Sequence, residues 1–299
     1  RGVQGVEFIP NTGHLLLSYA LDGKAKIWRG DGNSELLRTY SGHSEGIRSG
    51  CFSPQGDTFL TSSFDRCIRL WDVETGSSKC FGNKTMGYSA RYYPRNPSIF
   101  IVACSDNKLY QWDSRVGDSS GGGGGRGGIV QEYNYHLAPV NTVTFIDDGR
   151  KIVSTSDDKK ILVWEFDVPV PIHYIQDPLL PSITFVAPHP QEDFIVGQSM
   201  DNSIVTYTSG EKVKAVKKKT FKGHANIGYA AQLAFSPNGK YLCSGDGGGN
   251  LFVWDFKTGK NLRRLGAHDS KPCMGVAWHP LLPSRVATGG WDGLVKVWE

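Results

Sequence analysis

Several absences narrow this chain before any motif does. No apolar run in its 299 residues approaches the roughly 18 needed to cross a bilayer. No secretory leader is visible, although the chain begins so abruptly that one could have been removed. No G-x-x-x-x-G-K-[ST] exists, which excludes a phosphate-cradling nucleotide loop of that type. Cys51, Cys67, Cys80, Cys104, Cys243 and Cys273 show no C-x-x-C spacing, and the eight histidines leave no metal-ligand spacing, so no metal is expected. The cysteines read as small buried hydrophobes of a soluble protein in the cytosol or nucleus. Asn83-Lys84-Thr85 is a formal glycosylation triplet of a kind that arises by chance.

What the chain does have is a period. An apolar stretch ends on an aromatic residue at Trp28, Trp71, Trp112, Trp164, Tyr207, Trp254 and Trp298, at intervals of 43, 41, 52, 43, 47 and 44 residues. Forty-odd residues is the length of a four-stranded propeller blade and exceeds most helical-solenoid repeats. The 37 glycines and the 11% aromatics suit many short strands and turns. The spacing therefore predicts an all-β, seven-bladed propeller with antiparallel blades, in one domain over 1–299. Gly2 to Pro10 reads as the first inner strand, and the chain stops on the third strand of blade seven.

Six positions before six of the seven aromatics, an Asp at 22, 65, 106, 158, 201 and 292 suits a two-residue turn, because its carboxylate can bond nearby backbone. With Gly42-His43, Phe52-Ser53-Pro54, Trp71-Asp72, Gly223-His224, Phe235-Ser236-Pro237, Trp254-Asp255 and Trp291-Asp292-Gly293, the chain resembles the WD-repeat family. That resemblance implies a buried His, Ser/Thr, Asp, Trp network tying each turn to its strands. Complete sets stand at His43, Thr61, Asp65 and Trp71; at His136, Ser154, Asp158 and Trp164; and at His268, Thr288, Asp292 and Trp298. Satisfied polar burial of this kind leaves no group free for chemistry, and a catalytic triad would be one constellation, not a recurring one. No catalytic residue and no cofactor is expected. The resemblance also implies a closing fourth strand drawn from residues before blade one, hence an amino-terminal extension outside this chain.

The pattern frays in places. Blade six carries Gly248 where the turn Asp should be, blades three and five lack the Gly-His pair, and Tyr207 replaces Trp. The run Val168-Pro169-Val170-Pro171, read as opening blade five, must lie at an edge or in a loop, as must Asp177-Pro178. A glycine-rich insertion occupies about 117–128, and flexibility is expected of it. The net charge is a mild +4, yet Lys212, Lys214, Lys217, Lys218, Lys219 and Lys222 crowd into eleven positions on the expected outer strand of blade five. That row suits phosphate contact, as in RNA, or a solubilising edge that blocks sheet pairing.

Finer stretches narrow the resemblance. Val153 to Lys159 (VSTSDDK), Gln198-Ser199-Met200-Asp201-Asn202 and Lys217 to His224 (KKKTFKGH) resemble the WD-repeat domain of the pre-mRNA-processing factor 17 family of second-step splicing factors. The resemblance implies a non-enzymatic nuclear scaffold that docks in the spliceosome for exon ligation, beside core proteins and small nuclear ribonucleoproteins. Contact with small nuclear RNA or pre-mRNA stays open, and neither a membrane nor a small-molecule substrate is implied. Protein contacts are expected on the rim at Arg48, Phe64, Tyr88, Asn141, Asp157, Met200, Tyr229, Met274 and Trp291. The alternative is a ubiquitin-ligase substrate receptor or a chromatin adaptor built on the same ring.

Overall fold

Short runs of β-branched and aromatic residues, punctuated by Gly, Asn, Asp and Pro, form strands that cannot each bury two faces alone. In the computed structural model they pair as successive antiparallel meanders, each running from the ring's centre outward. The structure describes residues 1–32, 35–116, 128–176, 181–210, 212–226 and 228–299, without the side chain of Lys217. Blade one holds β1 (Val3–Phe8), β2 (Leu15–Ala20), β3 (Lys24–Arg29) and β4 (Leu36–Ser41); blade two β5 (Ile47–Phe52), β6 (Thr58–Ser63), β7 (Cys67–Asp72) and β8 (Ser78–Gly82). Blade three holds β9 (Gly87–Tyr93), β10 (Asn96–Cys104), β11 (Lys108–Asp113) and β12 (Ile129–Asn134); blade four β13 (Val140–Ile146), β14 (Lys151–Ser156), β15 (Lys160–Glu165) and β16 (Pro171–Gln176). Blade five holds β17 (Ile183–Pro188), β18 (Phe194–Ser199), β19 (Ser203–Thr208) and β20 (Ala215–Lys222); blade six β21 (Leu233–Phe235), β22 (Tyr241–Gly245), β23 (Asn250–Asp255) and β24 (Asn261–Gly266). Blade seven has three strands among the described residues, β25 (Cys273–Trp278), β26 (Val286–Gly290) and β27 (Val295–Trp298).

The molecule has no single core. Among the described residues seven apolar clusters lie one at each interface between neighbouring blades, including Phe8, Leu16 and Ala277 where blade seven meets blade one. Trp112, Trp164 and Trp254 are fully buried in these seams. Each removes roughly 150–250 Å² from water, worth about 4–6 kcal/mol before conformational costs. Where blade seven meets blade one the inner strands approach backbone to backbone: a Cβ on Gly275 would stand 2.9 Å from the backbone of Gly5.

Several sequence expectations need correction. The turns between second and third strands hold not two residues but four in blades six and seven and three in blades one to five, as in Phe64-Asp65-Arg66, with the Arg66 N–H donating to Ser63 O at 3.3 Å. The residue after the turn Asp position is left-handed in every blade, at Gly23, Arg66, Asn107, Lys159, Asn202, Gly249 and Gly293. A turn followed by one left-handed residue is the usual three-residue hairpin solution. The Val168 to Pro171 run belongs to blade four, where it leads into and starts the outer strand β16. That placement spares the prolines any ladder bond.

Four cysteines, Cys51, Cys104, Cys243 and Cys273, are buried as expected, but Cys67 and Cys80 are joined in a disulfide. The register of β7 and β8 sets Arg69 opposite Cys80, so Cys67 and Cys80 are diagonal neighbours with Cα atoms 6.3 Å apart. A separation of 13 residues carries no signature of that pairing in the sequence. Residues 117–127 of the glycine-rich insertion and Asp177-Pro178 lie outside the described residues.

Candidate functional site

The recurring polar residues meet as one motif in blades two, four and seven. In blade four the His136 Nδ1–H donates to Asp158 Oδ2 at 2.9 Å, the Ser154 hydroxyl bonds His136 Nε2 at 2.9 Å, and the Trp164 indole donates to Ser154 Oγ at 2.9 Å. His43, Asp65, Thr61 and Trp71 repeat the chain at 2.7 to 2.8 Å. His268, Asp292, Thr288 and Trp298 do so at 2.8 to 3.1 Å. Each Asp also accepts from the backbone N–H two residues on, at Cys67, Lys160 and Leu294. Burial pushes the Asp65 carboxyl up, but the bonds from His43 and the backbone outweigh it and hold the group low. Every polar atom of the chain is used, so the arrangement fixes packing. Ligand atoms of His43, Asp65 and Cys67 come within 4.8 Å of one another. The His and Asp are spent on each other and the Cys67 sulfur on the disulfide.

Blade six is wired differently. With Gly248 in the turn, His224 Nδ1 is buried without a partner among the described residues, and Nε2 receives the Gln198 amide of blade five at 2.7 Å. Ser244 donates to Gln198 Oε1 at 3.3 Å, and the Trp254 indole turns to Lys222 O at 3.2 Å. Burial pulls the His224 imidazole down to about 4, against the pull of Asp246 and Asp201. Blade three replaces the pair with Asn83 and Cys104, 3.0 Å apart, and its Asp106 takes the Tyr110 hydroxyl at 2.7 Å. Gln198 lies within the QSMDN stretch, yet its role across the blade boundary is invisible until blades five and six are side by side.

The central channel has two mouths and a waist. Of the nine rim residues expected, Arg48, Phe64, Asn141, Asp157, Met200, Tyr229 and Met274 line one funnel of about 300 Å³. Tyr88 stands just below, in the narrow waist it shares with Arg48 and Asn141. Trp291 packs edge-on against Tyr229 with ring centroids 5.2 Å apart, beside the funnel and not in its lining. Met274 is buried at the funnel's foot and offers little surface, whereas Met200 is 45% exposed. Asn141 donates to Asp157 at 2.7 Å, so these two form one polar patch. Burial lowers Arg48, opposed by Tyr19 and Tyr88, and among the described residues it has no carboxylate within ion-pair distance.

Gln232 crosses the waist. Its Oε1 accepts from Val6 N–H at 3.0 Å and Val276 N–H at 3.1 Å, and its amide donates to the Tyr19 hydroxyl at 2.8 Å. Beyond it opens a second chamber of about 330 Å³ in whose wall Glu7 and Arg91 stand. Burial pushes the Glu7 carboxyl up to about 7, with Arg91 and the Phe52 N–H opposing. Sequence reasoning missed this pair. The available signal was a charge inside an inner strand, in VQGVEF and in GYSARYY.

The lysine row divides. Lys212 and Lys214 precede β20 and are exposed, as are Lys218 and Lys222. Lys219 turns inward, with Nζ 3.5 Å from the Phe256 ring centroid and 4.7 Å from that of Phe194. Burial lowers its ammonium, against Glu192 and Asp255. It is a half-buried cation held between blades five and six.

The WD domain, G-beta repeat family profile matches residues 34–72, 127–165, 215–255 and 259–299. Each match begins on the outer strand of one blade and ends on the third strand of the next, so the sequence repeat is staggered by one strand against the structural blade. The matches fall on blades two, four, six and seven. Over 302 residues, all of this chain, it is 44% identical to pre-mRNA-processing factor 17 of Homo sapiens and to that of Mus musculus, in each case over 50% of that protein's length. Identity to pre-mRNA-processing factor 17 of Saccharomyces cerevisiae is 38% over 300 residues, 99% of this chain and 64% of the yeast protein. The chain thus spans about half the length of its mammalian relatives. Matched over more than half its residues, and built as seven antiparallel blades on one repeating polar motif, the chain belongs to the WD domain, G-beta repeat family.

Proposed function

We propose that this domain is a non-enzymatic docking platform of the nuclear pre-mRNA splicing machinery, acting in the second step, exon ligation. The reading is carried by end-to-end identity of 38 to 44% with proteins named pre-mRNA-processing factor 17 in mouse, human and yeast. Identity at that level spans the degenerate blades as well as the regular ones, which a shared generic repeat would not require. The same names give no support to a ubiquitin-ligase or chromatin role. The His, Ser/Thr, Asp and Trp groups of blades two, four and seven are consumed in structural bonds, which agrees with a scaffold whose reaction is carried out elsewhere.

The candidate contact surface is the funnel at the channel mouth. Arg48, Phe64 and Trp291 combine a cation with aromatic side chains, the residue types that anchor protein interfaces. The wider protein, with residues outside this chain, contributes its own contacts in this proposal. Affinity purification of the full-length protein from nuclear extract should enrich small nuclear ribonucleoprotein components. Their consistent absence would end the splicing reading. Alanine at Arg48, Phe64 and Trp291 together should weaken that enrichment while thermal stability is retained; unchanged enrichment would remove the funnel as the contact surface.

A further inference from the structure

Charge is sorted around this ring in a way its total conceals. The 61 residues from 211 to 271 carry twelve Lys and Arg against four Asp and Glu, while the rest of the chain carries 21 against 25 and is net acidic. These residues form the outer edge of blade five and the whole of blade six. Packing brings the end of β20 against blade six. The Trp254 indole of blade six bonds Lys222 O at 3.2 Å, Lys219 lies on Phe256, and a Cβ on Gly223 would come 3.8 Å from the side chain of Asn261, the first residue of β24. β24 is exposed along its whole length and carries Arg263 and Arg264.

We infer that the outer edges of blades five and six together bind the sugar-phosphate backbone of RNA, centred on Lys218, Lys222, Lys260, Arg263 and Arg264. Among the described residues none of these five has a carboxylate within ion-pair distance. Asp255 nearby is tied to the Thr258 N–H and hydroxyl at 2.7 and 2.8 Å. Lysine is depleted in protein interfaces, so a lysine-rich face with no paired acids fits a polyanion better than an ordinary protein partner. Arginine adds a planar fork matched to phosphate oxygens. The large apolar side chains exposed on β24 are Leu262 and Leu265, which cannot stack on bases, so recognition is by backbone charge and not by sequence. An acidic remainder would orient an incoming strand toward this one side. The inference deepens the splicing reading and rests on it for the source of the RNA, while the charge argument stands apart.

The test is fluorescence anisotropy of the intact protein with a labelled uridine RNA of roughly 20 nucleotides, titrated between about 50 and about 300 mM salt. Reversal of four charges (Lys218→Glu, Lys222→Glu, Arg263→Glu, Arg264→Glu) should weaken binding at least tenfold at the low end and flatten the salt slope by roughly 3, at about 0.7 per phosphate contact. The same change in charge on blades one to four (Lys24→Glu, Arg38→Glu, Lys84→Glu, Lys159→Glu) should cost less than about threefold. Equal losses in the two variants, absence of RNA binding by the unaltered protein, or equally good competition by an acidic peptide of matched charge would each overturn the inference. If the unaltered protein fails to bind RNA but still enriches ribonucleoprotein components, this surface falls and the docking platform stands.

Discussion

Blade four and blade six solve the same problem with opposite means. Blade four holds its turn with its own Asp158, on a chain running through His136 and Ser154 to Trp164. Blade six, with Gly248 in that place, borrows Gln198 from blade five for His224 and lends Gln232 to backbone of blades seven and one. One blade is stapled internally and the other is stapled to its neighbours. The difference teaches that a propeller requires its blade edges to be satisfied, but not by any fixed set of residues. The apolar seams supply most of the free energy, and the polar motif selects a single register within them.

The largest effect should come from the aromatic that both blades share. Trp164→Ala opens a fully buried site and strands the Ser154 bond, and should cost about 3–5 kcal/mol in chemical denaturation. A loss below about 1 kcal/mol would mean that the seams do not carry the fold. Next is Gln232→Ala, which leaves two buried backbone N–H groups without an acceptor and should cost about 2–4 kcal/mol. Hydrogen exchange should then show blades six, seven and one opening together, whereas Asp158→Ala should open blade four alone. Equal opening in the two variants would dissolve the contrast.

The third test is pH. His224 is held at about 4 in the folded protein by burial, while an unfolded histidine titrates near about 6.5. The unfolded chain therefore takes up the proton first. Stability contributed by neutral His224 is whole above pH 6.5 and is lost as pH falls toward 4, by up to about 3 kcal/mol. His224→Gln should flatten that part of the stability profile, and an unchanged profile would contradict the borrowed arrangement. The smallest effect is restoration. Gly248→Asp gives His224 Nδ1 a carboxylate once the Asn250 side chain, whose Nδ2 would stand 3.3 Å from the new Cβ, gives way by a few tenths of an ångström. The His224 pKa should rise by at least about one unit in NMR titration, with a stability gain of no more than about 1 kcal/mol because Asp246 is close.

Much of this was legible in advance because the repeat writes itself at fixed intervals. Trp28 to Trp298 mark third strands, and Asp65, Asp158 and Asp292 mark the turns before them, since both depend on neighbours within about 40 residues. Seven of the nine expected rim residues share one funnel because strand entries and turn tips recur at the same end of every blade. The burial of Met274 was not legible because it depends on how blades six, seven and one converge. Lys219 escaped for a related reason: its partners, Phe194 and Phe256, belong to two different blades. The Cys67–Cys80 bond needed the register of β7 against β8, and Glu7 with Arg91 needed the channel itself.

The sequence by itself determined the number of blades, their order and the turn chemistry, because those follow from local hydrogen bonding and from the alternation of buried and exposed residues along each strand. The tertiary structure decided what happens between blades: which glutamine serves which histidine and which lysine turns inward. Such contacts join residues tens to hundreds of positions apart. A one-dimensional pattern holds no record of them until the ring closes and sets neighbouring edges face to face.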